Sequence, residues 1–262
     1  LGDKADKIKV IAKIEDQEGV RNLEAIIAEA DGVMVARGDL GVEVPFYELP
    51  NIQRRMVRLC LESGKRVIVA THLLESMIVN PMPTRAEVTD VANAIYEEVD
   101  AVMLSGETTI GKYPVKCVEN LHKIAVSVEP HRGLRFTDNL SRANQKQNIA
   151  AAAVHLAETT GIKAIVVITR KGRMANYVAN CRPRDADIFA FSNESRTRRQ
   201  LALCRGVCAH RINFSLEPEK TLATAFGVLL DKERFQPGDA VVVISDVLAG
   251  VGTDAIQVRE VR

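Results

Sequence analysis

The sequence predicts an α/β protein in two parts: four successive βα units forming a parallel sheet, then a smaller, three-layer α/β unit. Three observations lead there. Short, almost uninterrupted apolar runs recur along the 262 residues, and strands apolar on both sides belong to parallel sheets covered by helices. Between the runs lie stretches with apolar residues at helical spacing. The polar stretch 130–148, PHRGLRFTDNLSRANQKQN, carries no apolar stripe, which predicts domains at 1–129 and 149–262 joined by a linker.

Taken in order, residues 8–14 read as the first strand. Residues 19–29 are its helix, with Val20, Leu23, Ile26 and Ile27 on one face. Residues 33–36 are the second strand, and 49–62 a helix carrying Ile52, Met56, Leu59 and Cys60 inward, with Gly64 at its carboxyl-terminal stop. Strands at 67–70 and 101–104, each followed by a helix (85–98 and 115–128), complete the first part. Right-handed crossovers set such strands side by side in chain order. Four units make half of an eight-stranded barrel or a small open sheet, and periodicity does not choose between them. In the second part an alanine-rich helix at 149–160 precedes strands at 164–169, 188–192, 207–214 and 240–245, with helices at 195–204 and 221–232. Residues 256–261 alternate like a terminal edge strand.

Composition narrows the function. A net charge of +1 offers no nucleic-acid surface and no polybasic membrane patch, and no apolar run is long enough to span a bilayer. Five cysteines, an odd and scattered set without a CxxC pair, read as reduced thiols of a cytoplasmic protein; they do not read as a disulfide framework or a zinc site. That setting has no use for Arg37-Gly38-Asp39 as an adhesion tripeptide. The first residue is Leu1, from which we expect the chain to begin inside a longer reading frame or after processing.

Parallel βα architectures bind ligands at the carboxyl ends of their strands. Here those ends are Lys13 and Glu15, then Arg37-Gly38-Asp39, then Thr71-His72, then Ser105-Gly106-Glu107. Neighbouring strands lie about 4.8 Å apart, so Glu15 and Asp39 can bring two hard oxygen donors to one point, a set suited to Mg²⁺ or Mn²⁺. Lys13 shares a side of its strand with Glu15, and a lysine beside a divalent cation clamps a phosphoryl group or an enolate oxygen. Gly38 permits close backbone approach to a ligand. The competing reading is a Lys13 ion pair with Glu15 or Asp39 on a solvated rim, with Ser105 onward an ordinary helix cap. In the second part, Thr169, Arg170, Lys171, Gly172 and Arg173 end a strand and open a helix, which suits a phosphate or forms a solvated basic turn.

Longer motifs add a resemblance. Lys13-Ile14-Glu15 with Glu18-Gly19-Val20, then MVARGDLG, PTRAE (83–87) with Asp90-Val91-Ala92-Asn93-Ala94, and MLSGET (103–108) resemble pyruvate kinase over nearly the whole chain. The resemblance implies strands five to eight of a (β/α)₈ TIM barrel followed by that family's carboxy-terminal domain. It implies transfer of the phosphoryl group of phosphoenolpyruvate to ADP, giving pyruvate and ATP. By it, Glu15 and Asp39 hold Mg²⁺ or Mn²⁺, Lys13 stabilises the phosphoryl group in flight and the enolate, and backbone N–H groups at Gly38 and Asp39 take the substrate carboxylate. Thr71 lies beside the reacting carbons, and Ser105 and Glu107 belong to the proton path. It further implies K⁺ held by residues outside this chain, a homotetramer, and a phosphorylated effector at 169–173; the loop 250–254, before the final strand, is read as a candidate to complete such a site without identifying its ligand.

Two departures qualify this. Position 72 is His where the family usually has Gln, and an imidazole changes charge near pH 6.5; a His72→Gln exchange is therefore expected to alter the pH–rate profile. Met174 replaces the hydroxyl residue that regulated relatives often carry after Arg173. The early barrel strands and the mobile lid domain of the family are absent from the 262 residues, which predicts an inactive chain with open sheet edges. The alternatives are a metal-dependent lyase or aldolase acting on a pyruvate enolate, and a non-catalytic regulatory subunit.

Overall fold

The computed structural model describes residue 2, residues 8–245 and residues 255–262. The chain divides into two compact units, residues 1–141 and 142–262. The stretch 130–148 is shared between them. Its first part forms a 3-10 turn at Phe136–Asn139 against the helix Leu49–Glu62, with Ser141 N–H bonded to the Glu62 carbonyl.

In the first unit β1 (Ile11–Ile14), β2 (Gly32–Ala36), β3 (Arg66–Ala70) and β4 (Ala101–Met103) form a parallel sheet in chain order. Ile14, Val33, Val35, Val67 and Val69 join one core with Leu23, Leu40 and Met56 from the covering helices. Each such fully buried side chain contributes about 1.5–3 kcal/mol. Alternation sends the intervening residues to the opposite face, where Lys13, Met34, Ile68 and Ala101 are in register across the four strands. Lys13 therefore leaves the sheet away from the helical core.

The structure departs from the sequence reading in three places here. β1 starts at Ile11, not at residue 8. Before it, the chain is tied to one side chain: Asp31 accepts from Val10 N–H at 2.9 Å and pairs with the Lys9 ammonium at 2.8 Å. The helix expected at 19–29 is two, α1 (Gln17–Arg21) and α2 (Leu23–Glu29). They are separated by Asn22, whose amide bonds back to the Glu18 carbonyl, the competition with helix that asparagine offers. Arg37-Gly38-Asp39 is the first turn of a helix, α3 (Arg37–Glu43), that follows β2 directly.

The remaining helices are α4 (Leu49–Glu62), α5 (Arg85–Tyr96), α6 (Gly106–Thr109) and α7 (Pro114–Val128). A capping box starts α5. Thr84 Oγ1 accepts the Glu87 N–H, and the Glu87 carboxylate accepts from Thr84 N–H (2.7 Å), Ser76 N–H (2.6 Å) and Ser76 Oγ (2.6 Å). Burial pushes the Glu87 carboxyl up, but these bonds outweigh it and hold the group below its ordinary value of 4.5. A depressed carboxylate stabilises the fold above its ordinary value and loses that contribution as pH falls through the depressed one. Glu87→Gln is expected to cost about 1–2 kcal/mol at neutral pH. The gap to the parent chain in urea midpoint should shrink on acidification below pH 4.5. A gap that persists unchanged in acid would refute the assignment.

The second unit contains α8 (Gln145–Thr160), β5 (Ala164–Ile168), α9 (Arg173–Asn180), β6 (Asp187–Ser192), α10 (Ser195–Leu201), β7 (Val207–Arg211), α11 (Pro218–Lys232), β8 (Ala240–Ser245) and β9 (Ala255–Glu260). The sheet order is β7-β6-β5-β8-β9, with only β9 antiparallel among the described strands. One face packs Ile165, Val167 and Ile188 on α8 and α9, and the other packs Val166, Phe189 and Phe191 on α11. Helices thus cover both faces, the three-layer arrangement expected. α8 begins four residues before the predicted 149, because Asn144 and Gln147 form a second capping box.

Candidate active site

The carboxyl ends of β1 to β4 carry the residues singled out above. Lys13 projects from β1, and its ammonium is paired with the Glu15 carboxylate and lies 2.8 Å from Asp39 Oδ2. Asp39 reaches this point because α3 starts at once after β2, placing it in the helix's first turn. The ion pair read as a competing explanation is therefore present. It is also the arrangement that gathers two carboxylates at one ammonium. All three side chains remain about half exposed. The Asp39 and Glu15 hydrogen bonds push the Lys13 ammonium well above its usual range, and Lys13 holds the Asp39 carboxyl below its own. One ammonium against two carboxylates leaves a formal charge of −1, with hard oxygen donors facing solvent. The donor set fits a divalent cation such as Mg²⁺, which would displace the ammonium from between them. Beside it, a cavity of about 440 Å³ is lined in part by Lys13, Glu15, Asp16 and Glu18.

At the end of β3, Thr71 and His72 both adopt left-handed backbone, with φ of 68° and 53°. A β-branched residue there is strained by about 1–3 kcal/mol, so something must hold it. Arg37 does. It is 8% exposed, donates from Nε (3.1 Å) and Nη2 (2.7 Å) to the Thr71 carbonyl and from Nη2 to the His72 carbonyl at 3.1 Å, and pairs through Nη1 with Asp90 at 2.7 Å. The Thr71 hydroxyl donates to the Ala70 carbonyl at 2.7 Å and accepts the Gly38 N–H at 2.8 Å. Gly38 N–H, expected to be available to a carboxylate, is thus engaged by Thr71. A Cβ at position 38 would sit 3.3 Å from both Thr71 Oγ1 and His72 Cε1, which accounts for glycine. His72 itself is exposed, with Nε2 3.7 Å from a Glu75 carboxylate oxygen.

Ser105 lies two residues after β4, at the N-cap position of α6 but without a side-chain capping bond. Glu107 does not reach the mouth. It is 2% exposed, and its two oxygens accept the Leu74 N–H (3.0 Å) and the Ser105 N–H (2.8 Å), tying the loops after β3 and β4 together. Sequence reasoning gave Arg37 no part; the structure makes it a holder of backbone, and Glu107, expected on the proton path, also binds backbone here. The sequence separation of 53 residues between Arg37 and Asp90 left no local signal to find.

In the second unit, residues 169–173 follow β5. The Thr169 hydroxyl accepts the Gly172 N–H at 3.0 Å, and the Arg170 carbonyl accepts from Thr197 and Ser192 hydroxyls. Gly172, at φ 75°, turns the chain into α9. Lys146, Arg170, Lys171 and Arg173 line a cavity of about 180 Å³ with Met174. Strand order reverses between β5 and β8, and this loop leaves at that switch point, the usual ligand position in open α/β sheets. The loop 250–254 lies outside the described residues. Among the described residues no helix is long and apolar enough to cross a membrane.

Comparison with known proteins agrees with this fold. A family model described as "Pyruvate kinase, barrel domain" matches residues 1–118, and one described as "Pyruvate kinase, alpha/beta domain" matches residues 147–259. Plastidial pyruvate kinase 2 of Arabidopsis thaliana is 41% identical over 97% of this chain and 45% of its own length. A pyruvate kinase of Geobacillus stearothermophilus is 42% identical over 93% of this chain and 42% of its own. A crystal structure of a pyruvate kinase from Cryptosporidium parvum superposes with a TM-score of 0.91 at 33% identity, covering 97% of this chain and 52% of the other. The chain thus spans about half the length, or less, of these relatives. With four βα units and a three-layer α/β unit that match the two domain descriptions over most of its length, the chain belongs to the pyruvate kinase family.

Proposed function

We propose that this chain carries the metal- and phosphoryl-handling strand ends of a pyruvate kinase, which moves the phosphoryl group of phosphoenolpyruvate to ADP and yields pyruvate and ATP. The convergence of Glu15 and Asp39 on the Lys13 ammonium carries the reading. Glu15 and Asp39 would hold Mg²⁺ or Mn²⁺, which when bound neutralises charge on the phosphoryl and enolate oxygens. Lys13, turned toward the substrate, stabilises the same charge as it moves. Gly38 and Asp39 N–H groups receive the substrate carboxylate, Gly38 by exchanging its bond to Thr71. The Thr71 hydroxyl stands beside the reacting carbons, held there by Arg37. Ser105 belongs to the proton path to the enolate, and Glu107 fixes its backbone.

K⁺ is included as a second cation on family grounds, as is a homotetramer. Five free cysteines suit a reducing compartment such as the cytoplasm, although the relatives include plastid proteins. Nothing in the comparisons supports the lyase or the regulatory-subunit alternative.

The edges of the four-stranded sheet at β1 and β4 are unpaired among the described residues, and Ile8, Val10 and Ile11 are exposed at the first. We therefore expect no phosphoenolpyruvate-dependent ATP formation by the 262-residue chain alone. Activity is expected when the chain follows the amino-terminal half of the Geobacillus relative, assayed with Mg²⁺ and K⁺. A folded chimera that binds Mn²⁺ yet forms no pyruvate would refute the proposal. At residues 169–173 we propose a site for a phosphorylated effector. Sugar phosphates or AMP should raise the melting temperature of the chain but not of Arg173→Ala, and a flat response in the parent would count against the site.

A further inference from the structure

Metal-binding chemistry that the candidate site does not use gathers at the outer edge of the second unit. β7, the last strand on that side, carries Cys208 and His210 two residues apart, so both leave the same face of the sheet. Glu233, the residue that ends α11, comes to that face. Cys208 Sγ lies 3.3 Å from His210 Nε2 and 3.5 Å from Glu233 Oε1, and His210 Nε2 lies 2.9 Å from the same carboxylate oxygen. Phe191, paired with His210 across β6 and β7, stacks on the imidazole at 5.4 Å and 23°, which fixes the plane of the ring. Asp187, at the start of β6, shares this face by strand alternation, and its charge acts on Cys208.

We propose that Cys208, His210 and Glu233 form a binding site for a divalent metal of the zinc class, which clips the outer strand of the sheet to the end of α11. The dimensions support this. At Zn–S of about 2.3 Å and Zn–N or Zn–O of about 2.0–2.2 Å, tetrahedral ligand atoms lie roughly 3.4–3.6 Å from one another. The two distances from sulfur already match within about 0.3 Å, and only the imidazole–carboxylate contact must open, by about half an ångström. A thiolate, an imidazole and a carboxylate together select zinc over magnesium or calcium, which take oxygen alone. The fourth position falls to water. Cys208 is solvent-exposed, which gives the metal a path in.

A cysteine thiol is protonated near neutral pH, so the group enters the reaction with its proton. Uptake breaks the S–H bond, forms the S–metal bond and sends the proton to solvent, while the imidazole presents the lone pair of Nε2 in place of any proton there. Binding therefore releases at least one proton and tightens as pH rises. The pattern was only half visible in the sequence: Cys208-Ala209-His210 is local, but Glu233 lies 25 residues beyond Cys208.

The test uses the whole 262-residue chain, stripped with a chelator and titrated with Zn²⁺ against a chromogenic competitor. We expect one equivalent bound, tighter at about pH 8 than at about pH 6, with a rise in melting temperature on loading. Co²⁺ in place of Zn²⁺ should give a thiolate-to-metal absorption in the near ultraviolet. Cys208→Ser should abolish that absorption, and both it and His210→Ala should weaken zinc binding more than about tenfold. Glu233→Gln keeps the shape and fold and should also weaken it, whereas Cys181→Ala should not. Absence of stoichiometric zinc binding by the parent chain overturns the proposal, as does binding of equal strength in folded Cys208→Ser and Glu233→Gln.

Discussion

Lys13→Ala, in the chimera completed by the Geobacillus half, is expected to lower kcat by about 10²–10³-fold or more, the loss that follows removal of one group aimed at transition-state charge. The argument rests on what Lys13 touches. Its ammonium is shared by Glu15 and Asp39 and leaves the sheet away from the helical core, so its removal creates no cavity and leaves no buried partner. Stability should change little, as for other exposed ion pairs. Metal affinity separates this role from that of a ligand. With the competing cation gone, Mn²⁺ binding by Lys13→Ala should hold or strengthen, whereas Asp39→Asn should lose it. Paramagnetic titration of the two variants gives the comparison. Weakened Mn²⁺ binding in Lys13→Ala, or a kcat within about threefold of the parent, would contradict the proposed division of labour, since a group stabilising charge in flight is worth far more than that.

Arg37→Ala should produce a large loss of stability in the first unit. The side chain is buried and makes four hydrogen bonds to three acceptors, two of them carbonyls of residues held in left-handed backbone. Truncation leaves the Asp90 carboxylate and both carbonyls without their donor and removes what confines Thr71 and His72. Loss of one partner of a buried pair costs about 3–5 kcal/mol. Asp90 is one-third exposed, so we place the cost at about 3 kcal/mol, or a drop of roughly 6–12 °C in melting temperature. Arg37→Lys should recover little, because an ammonium lacks the planar fork that spans these acceptors. A loss below about 1 kcal/mol would show that the loop holds its conformation without the guanidinium, because that is the scale of a single ordinary hydrogen bond.

Much of this could be read from sequence, for reasons particular residues make plain. The parallel sheet of the first unit was legible because Val33, Val35, Val67 and Val69 lie in runs too apolar to face water. The approach of Glu15 and Asp39 to one point was legible from strand adjacency, but the immediate turn into α3 that carries Asp39 was not. The Asn144–Gln147 box was equally available and shows why α8 starts where it does. What stayed hidden has one physical character: a side chain reaching a partner far along the chain. Arg37 to Asp90, Glu107 to Leu74 and Cys208 to Glu233 are of this kind. Neither propensity nor period encodes them, and the break at Asn22 adds a local competition that the apolar stripe of 19–29 concealed.

If Glu15 and Asp39 hold the metal as proposed, the place taken by Lys13 has a kinetic consequence. Two carboxylates set this close would repel and swing apart, and an incoming ion would have to wait for them to regroup. The tethered ammonium suppresses that excursion, so both oxygens are already in place on arrival and only one flexible chain has to step aside. Loading of the ion should then run at the pace at which it sheds its own water, with Mn²⁺ faster than Mg²⁺, and not at the pace of any rearrangement of the polypeptide.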